Sequence, residues 1–319
     1  MTKIGTDISL AVHLLKEGLI IAIPTETVYG LAGNALNEDA VTNIFTIKNR
    51  PFFDPLIVHT DQLSKLSPLI GTIPEPLQML ARHFMPGPLT ILVEKTEQMS
   101  DLVTSGSRKV AIRIPNHPLT LALLSRLDFP LAAPSANPFG YVSPTTAQHV
   151  ADQLGDKVSY ILDGGSCQIG LESTIVDYRE NQIVVLRKGG IPIEEIEALV
   201  GPVQVYEQSS SRPSAPGMLD QHYAPSTPLT LQPLEEVLQK FKKEKIGYLA
   251  FDKLHPDLPN DHQKVLSPSG NLSEAAHHFF RYLREFDKMD LEIIAATLVP
   301  DRDLGRAIND KLKRGAIKN

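Results

Sequence analysis

Two short segments hold the residue types best suited to gripping an anion. In KNRPFFDPLIVH (48–59), Lys48 and Arg50 stand just before Pro51, whose ring disfavours a helical conformation in the preceding residue. Residues i and i+2 of an extended chain share a face. The sequence therefore predicts an ammonium and a planar five-donor guanidinium aimed together at one anionic group such as a phosphate. A solvated helix C-terminus, where basic side chains meet the macrodipole, would use the same residues. LAAPSANP (131–138) repeats the arrangement, with Ser135 two residues before Asn137 and Asn137 before Pro138. A hydroxyl and an amide pointing together suit a ribose, a phosphate or a base edge, and an Asn-Pro turn with a serine cap explains them equally well.

Further polar residues interrupt or end apolar runs. In KVAIRIP (109–115), Lys109, Ala111 and Arg113 share one face and Val110, Ile112 and Ile114 the other. An arginine in the middle of so apolar a strand needs an anionic partner, either a carboxylate of the chain or a ligand. Thr25 and Thr27 follow the strand LIIAIP, where open α/β sheets tend to bind ligands. His59 closes LIVH as either a structural residue or a functional one. Arg187 ends an apolar strand, and Glu172-Ser173-Thr174 begins another. Ser143-Pro144 reads as the N-cap and first position of a helix. Together, Lys48, Arg50, Arg113, Ser135, Asn137 and Arg187 fit nucleotide binding with electrostatic stabilisation of a charged phosphorus centre. The chain contains no G-x-x-x-x-G-K-[ST], G-x-G-x-x-G after a strand, H-E-x-x-H or G-x-S-x-G.

Periodicity places these residues on an α/β chain. Helices are expected at 7–17, 38–47, 75–84, 117–126 and 191–198, and strands at 19–24, 56–59, 89–95, 109–115, 131–133, 158–162, 173–178 and 182–190, the last two as a hairpin. The catalytic domain is expected over 1–200, with a Ser- and Pro-rich linker over 201–228. A small α/β domain follows over 229–319, with no catalytic set of its own. The linker's Met218, Leu219, His222 and Tyr223, between Pro216 and Pro225, have apolar surface to bury, and we expect them to close over the cavity as a lid.

The chain has 319 residues, 42% of them hydrophobic and 21% charged, enough for two cores. Its opening MTKIGTDISL lacks the features of a signal peptide and no run approaches a membrane span, so we expect a cytoplasmic protein with no membrane partner. Cys167 is the only cysteine, which excludes an internal disulfide and a CxxC knuckle. The net charge of −6 comes from residues 1–198, with 15 Lys and Arg against 21 Asp and Glu, while residues 199–319 hold 16 of each. That balance disfavours tracking along a polynucleotide and still allows a small anion held by local cations.

The motifs PTETVYGLAGNA, KNRPFFDPLIVH, MPGPLT, VAIRIPNHP, APSANPFG, ESTIVD and SAPGMLDQHYAP occur in order. Together they resemble the Sua5/YrdC/YwlC family of threonylcarbamoyl-AMP synthases in its two-domain Sua5 form. The resemblance implies a twisted, open, mixed α/β sheet with a concave cavity, plus a small Rossmann-like C-terminal domain. It implies a nucleotidyltransferase that makes L-threonylcarbamoyladenylate and pyrophosphate from L-threonine, bicarbonate and ATP, the first step of N6-threonylcarbamoyladenosine formation at position 37 of tRNA. The product would pass to the tRNA threonylcarbamoyl transferase complex, and direct tRNA binding is not required. Lys48 and Arg50 would be catalytic. Arg50, Asp54, Lys109, Ser135, Asn137, Ser143, Arg187 and Tyr223 would bind ATP, and Thr27, His59, Arg113, Ala133 and Ser173 would bind threonine. Mg²⁺ would come with ATP, without metal ligands from the chain. Asp54 stands where many relatives have Asn, either assisting Mg²⁺ or facing away. An RNA-binding module of the same fold is the alternative, and the acidic first domain argues against it. A carbamoyl-transferring maturation protein would need zinc-finger-like segments that one cysteine cannot furnish.

Overall fold

The structure is a computed structural model that describes residues 2–206 and 223–317. The linker residues Met218, Leu219 and His222 lie outside the described residues, so the expected lid does too, apart from Tyr223.

The first domain is a mixed sheet whose strands are β1 (Lys3–Gly5), β2 (Ile21–Ile23), β3 (Gly30–Asn34), β4 (Ile57–His59), β5 (Leu89–Glu94), β6 (Lys109–Arg113), β7 (Leu131–Ala132), β8 (Tyr160–Leu162), β9 (Thr174–Arg179), β10 (Gln182–Arg187) and β11 (Gln204–Val205). Across the sheet they run β1-β8-β2-β3-β7-β4-β6-β5-β9-β10-β11. β4 lies parallel to β6, β5 parallel to β9, and β9 and β10 form the expected antiparallel hairpin. β11 carries the sheet past residue 200, where the sequence placed the end of the first domain. Seven helices flank these strands: α1 (Ile8–Lys16), α2 (Glu38–Lys48), α3 (Glu75–Phe84), α4 (Asp101–Thr104), α5 (Pro118–Leu124), α6 (Ala147–Leu154) and α7 (Ile193–Val200).

Alternation along the central strands assigns the two faces of the sheet. Val110 and Ile112 of β6, with Ile183 and Val185 of β10, join the large core formed with α2, α3 and α7. Ala111, Ile57, Leu92, Ile175, Val184 and Leu186 form a thin apolar layer on the opposite face. Ile57 of that layer lines the cavity described below.

Three local expectations are corrected. No strand is expected between residues 24 and 38, yet β3 pairs with β2 and β7, with a bare backbone at Gly33, where a Cβ would come within 2.6 Å of the Ile20 side chain. Helix α6 starts at Ala147, capped by Thr146, whose hydroxyl accepts the His149 N–H at 3.2 Å. Ser143 is therefore not a helix cap. Lys48 is the last residue of α2 and Asn49 turns left-handed at φ 52°, so Lys48 and Arg50 do not share the face of an extended strand.

The second domain has a parallel sheet of β12 (Leu229–Thr230), β13 (Ile246–Ala250), β14 (Gln263–Val265) and β15 (Ile293–Ala296) in the order β12-β15-β13-β14. Helices α8 (Leu234–Lys240), α9 (Leu272–Phe286) and α10 (Leu304–Gly315) cover it. One apolar cluster is continuous between the domains, with Val28, Val142 and Leu171 packed among Phe279, Phe280 and Ile308. The interface also has polar grips. The buried guanidinium of Arg284 donates to the carbonyls of Ser143 (3.1 Å) and Val142 and to Gln153 (2.7 Å). Among the described residues, no helix is long and apolar enough to cross a membrane.

Candidate functional site

Strand ends of that face converge on a narrow cavity lined by Arg50, His59, Arg113, Ser173, Arg187 and Tyr223. The parallel register puts His59 of β4 beside Arg113 of β6. Thr25 and Thr27 enter from the loop after β2, and Ala133 and Ser135 from the turn after β7. Thr25 Oγ1 lies 2.8 Å from Thr27 Oγ1 and donates to the Val28 carbonyl at 2.6 Å, which fixes that loop.

Arg113 is 3% exposed, so its partner decides its role. The chain supplies a carboxylate: Glu26, from the PTETVYG loop, approaches Arg113 Nη2 at 2.7 Å. Arg113 Nε donates to the Gly87 carbonyl at 3.2 Å. Burial, reinforced by the charge of Arg113, lowers the His59 pKa to about 3, so its ring is neutral near pH 7. His59 Nδ1 lies 3.2 Å from the Ile57 carbonyl, which assigns the proton to Nδ1 and leaves Nε2 as an acceptor.

Arg50 lines the cavity, whereas Lys48 does not. Arg50 pairs with Asp54 at 2.9 Å and donates to the carbonyls of Asp54 (2.9 Å) and Pro55 (2.7 Å). Asp54 thus faces Arg50, fully buried. Lys48 Nζ donates to the carbonyls of Ser135 and Asn137, tying the end of α2 to the SAN turn. Burial lowers its pKa well below the usual lysine value, and the neighbouring Arg50 charge pushes the same way. Asn137 turns its amide onto the carbonyls of Pro138 (2.7 Å) and Tyr141 (2.9 Å), which is the local-turn alternative.

Arg187 reaches the cavity through a bulge, since the β9–β10 register shifts between Val185 and Arg187. Bulges re-aim side chains in this way. Arg187 Nε donates to the Ser173 carbonyl and Nη2 to Ser173 Oγ, both at 3.0 Å, and Ser173 Oγ lies 2.7 Å from Thr90 Oγ1. Gly189 lets this corner close, because a Cβ there would come within 2.4 Å of the Glu172 carbonyl. Glu172 lines the cavity and accepts from Ser143 Oγ at 2.6 Å. Ser143 is fully buried behind Glu172 and outside the lining. Tyr223 closes this side, 1% exposed at φ 71°.

Lys109 corrects an expectation. It shares a face with Arg113 but sits at the far end of β6, where it pairs with Asp177 at 2.6 Å, so the structure does not bring it to the cavity. Strand parity sets a face and says nothing about position along it. Sequence reasoning missed Glu26, Glu172 and Lys311 as parts of the site. Both glutamates lie inside quoted motifs, and a buried carboxylate next to strand-end arginines was the available signal. No sequence signal links Lys311 to this place. Among the described residues, no group of three or more His, Cys, Asp or Glu side chains could hold a metal ion.

A family profile described as "Telomere recombination" matches residues 13–189, and one described as "Threonylcarbamoyl-AMP synthase, C-terminal domain" matches residues 191–316. The chain is 39% identical to a threonylcarbamoyl-AMP synthase of Pyrococcus abyssi, over 97% of this chain and 94% of that one. It resembles the crystal structure of P. abyssi Sua5 complexed with L-threonine at a TM-score of 0.91 and 37% identity, over 99% of this chain and 97% of that one. A threonylcarbamoyl-AMP synthase of Vibrio vulnificus is 36% identical over 58% of this chain and 99% of its own length.

Proposed function

This chain belongs to the Sua5/YrdC/YwlC family, and from that premise we propose that it makes L-threonylcarbamoyladenylate and pyrophosphate from L-threonine, bicarbonate and ATP. Its place is the first step of tRNA N6-threonylcarbamoyladenosine formation, in the cytoplasm, with the product consumed by a tRNA threonylcarbamoyl transferase complex. The observation that carries this reading is a cavity served by separate guanidinium centres, in a chain that superposes on a threonine-bound relative. Arg113 on β6 and Arg187 on β10 are three strand spacings apart, about 14 Å along the sheet. The two guanidinium groups are held by different partners, Glu26 and Gly87 for Arg113 and Ser173 for Arg187, which suits two substrates, each with its own anionic group.

In this reading the threonine amine and bicarbonate give a carbamate with loss of water. A carbamate oxygen then forms a bond to the α-phosphorus of ATP as the bond to pyrophosphate breaks, as expected of a nucleotidyltransferase. Arg113, held by Glu26 and the Gly87 carbonyl, receives the threonine carboxylate. His59 Nε2, Thr27, Ala133 and Ser173 line the threonine. Arg50 and Arg187 stabilise charge accumulating at the phosphorus, while Ser135 and Tyr223 border the nucleotide. Lys48 acts from behind the wall, holding the backbone of Ser135 and Asn137 in place. Asp54 is committed to Arg50 and does not fit a metal ligand. Mg²⁺ would enter with the ATP phosphates and neutralise part of their charge, with no ligand required from the chain.

Pyrophosphate release from ATP measured with L-threonine or bicarbonate omitted in turn tests the proposal. Release is expected only when both are present, and ATP turnover that ignores threonine would overturn it.

A further inference from the structure

Helix α10 of the second domain does not line the cavity but packs against two residues that do, Glu172 and Tyr223. Lys311 is completely buried, and its ammonium lies 3.5 Å from Glu172 Oε2 and donates to the Lys188 carbonyl at 3.0 Å. It also sits 5.2 Å from the centroid of the Tyr223 ring. Glu172 and Tyr223 both line the cavity. Among the described residues, Lys311 is the ion-pair partner of Glu172, whose other oxygen accepts from Ser143. The backbone of Ser143 is gripped in turn by Arg284 of α9. Both oxygens of one cavity carboxylate are therefore set from the second domain, one directly and one through Ser143.

A carboxylate in the wall of a site for a polyanion is an electrostatic liability unless a cation neutralises it. Burying an ammonium is equally costly unless it is paired. We infer that Lys311 is a positioning residue for the nucleotide: it neutralises and fixes Glu172, so that the second domain completes the ATP wall of a cavity built by the first. This rests on the proposed synthase activity. It also predicts selectivity between the substrates, because ATP is strongly anionic whereas threonine enters as a zwitterion with no net charge.

The test is Lys311→Met, which keeps the length and apolar stem of the side chain and removes its charge. Synthase kinetics are read as separate KM values for ATP and L-threonine, in the full chain. An unpaired charge in the wall is expected to raise the ATP KM about tenfold, with the threonine KM within about twofold of wild type. Lys311→Met with Glu172→Gln, which removes the stranded charge, is expected to bring the ATP KM most of the way back. An unchanged ATP KM in Lys311→Met would overturn the inference. So would equal rises in both KM values that Glu172→Gln does not reverse, since loss of packing alone acts in that way. Should Lys311→Met fail to fold, Glu172→Gln alone decides: an ATP KM no higher than wild type supports the inference, and a clear rise overturns it. A wild-type chain that makes no threonylcarbamoyladenylate would refute the synthase reading itself, a result distinct from any of these.

Discussion

In the eleven-stranded sheet, buried guanidinium groups stand at strand ends on the face that carries the thin apolar layer of Ile57, Ala111 and Leu186. In the four-stranded sheet, the strands carry no buried charge, and the buried charges of that domain, Arg284 and Lys311, sit on helices that meet the first domain. The partners differ accordingly. Arg50, Arg113 and Arg187 are each held by neighbours from their own domain and still line the cavity. Arg284 and Lys311 reach across the boundary to carbonyls and a carboxylate of the first domain. Burial of charge is expensive in both places. One domain keeps it for the lining of a cavity and the other for docking, so substrate chemistry should respond to the first set directly and to the second only through the wall they share.

The sharpest break in that comparison is expected at Arg50. In an Asp54→Asn background, which removes the carboxylate the change would strand, Arg50→Ala should lower kcat/KM for ATP by about 10²–10³-fold, the scale for losing a donor aimed at developing charge. Wild-type-like kinetics would return Arg50 to a purely structural role. Next comes Arg113→Ala, expected to raise the threonine KM by about 30-fold or more while the ATP KM moves far less. A raised ATP requirement with unchanged threonine dependence would contradict the assignment.

The complementary probe lies in the second domain. The Gln263 side chain on β14 donates to the carbonyls of His255 and Leu258, both at 3.0 Å, and accepts the His255 N–H at 2.7 Å. Gln263→Ala should destabilise the protein by about 1–3 kcal/mol and leave both KM values alone. A shift in either KM would show that stability of the second domain as a whole, and not Lys311 in particular, governs the site.

The smallest expected effect concerns pH. His59 is held neutral, with its pKa lowered to about 3 by burial and by Arg113, and burial likewise lowers His149 to about 4. The unfolded chain binds these protons more readily, near pH 6.5. The stability they contribute is therefore fully present above pH 6.5 and is lost as pH falls towards their folded values. Thermal unfolding from pH 7 to pH 4 should show a steeper fall in Tm for wild type than for His59→Asn. Equal slopes would mean that His59 carries no such linkage.

Taken by itself, the sequence determined the α/β class, most helices and strands to within a residue or two, and the identity of Arg50, Arg113, Ser135 and Arg187 as cavity residues. Those features rest on local physics: apolar periodicity, proline and glycine punctuation, and the rule that a charge amid apolar residues needs a partner. Tertiary structure alone decided the partner of each charge. Lys48 and Arg50 part at the end of α2, where a left-handed Asn49 leaves Lys48 on the carbonyls of the SAN turn and takes Arg50 to the cavity. Lys109 has the right parity and the wrong end of β6, and Arg187 arrives by a bulge that no composition signals. Lys311 lies 139 positions from Glu172 in the chain and reaches it only because α10 docks beside Tyr223. Pairings of that kind depend on how whole elements pack, and the spacing of residues along a chain carries no information about which distant element will supply the counter-charge.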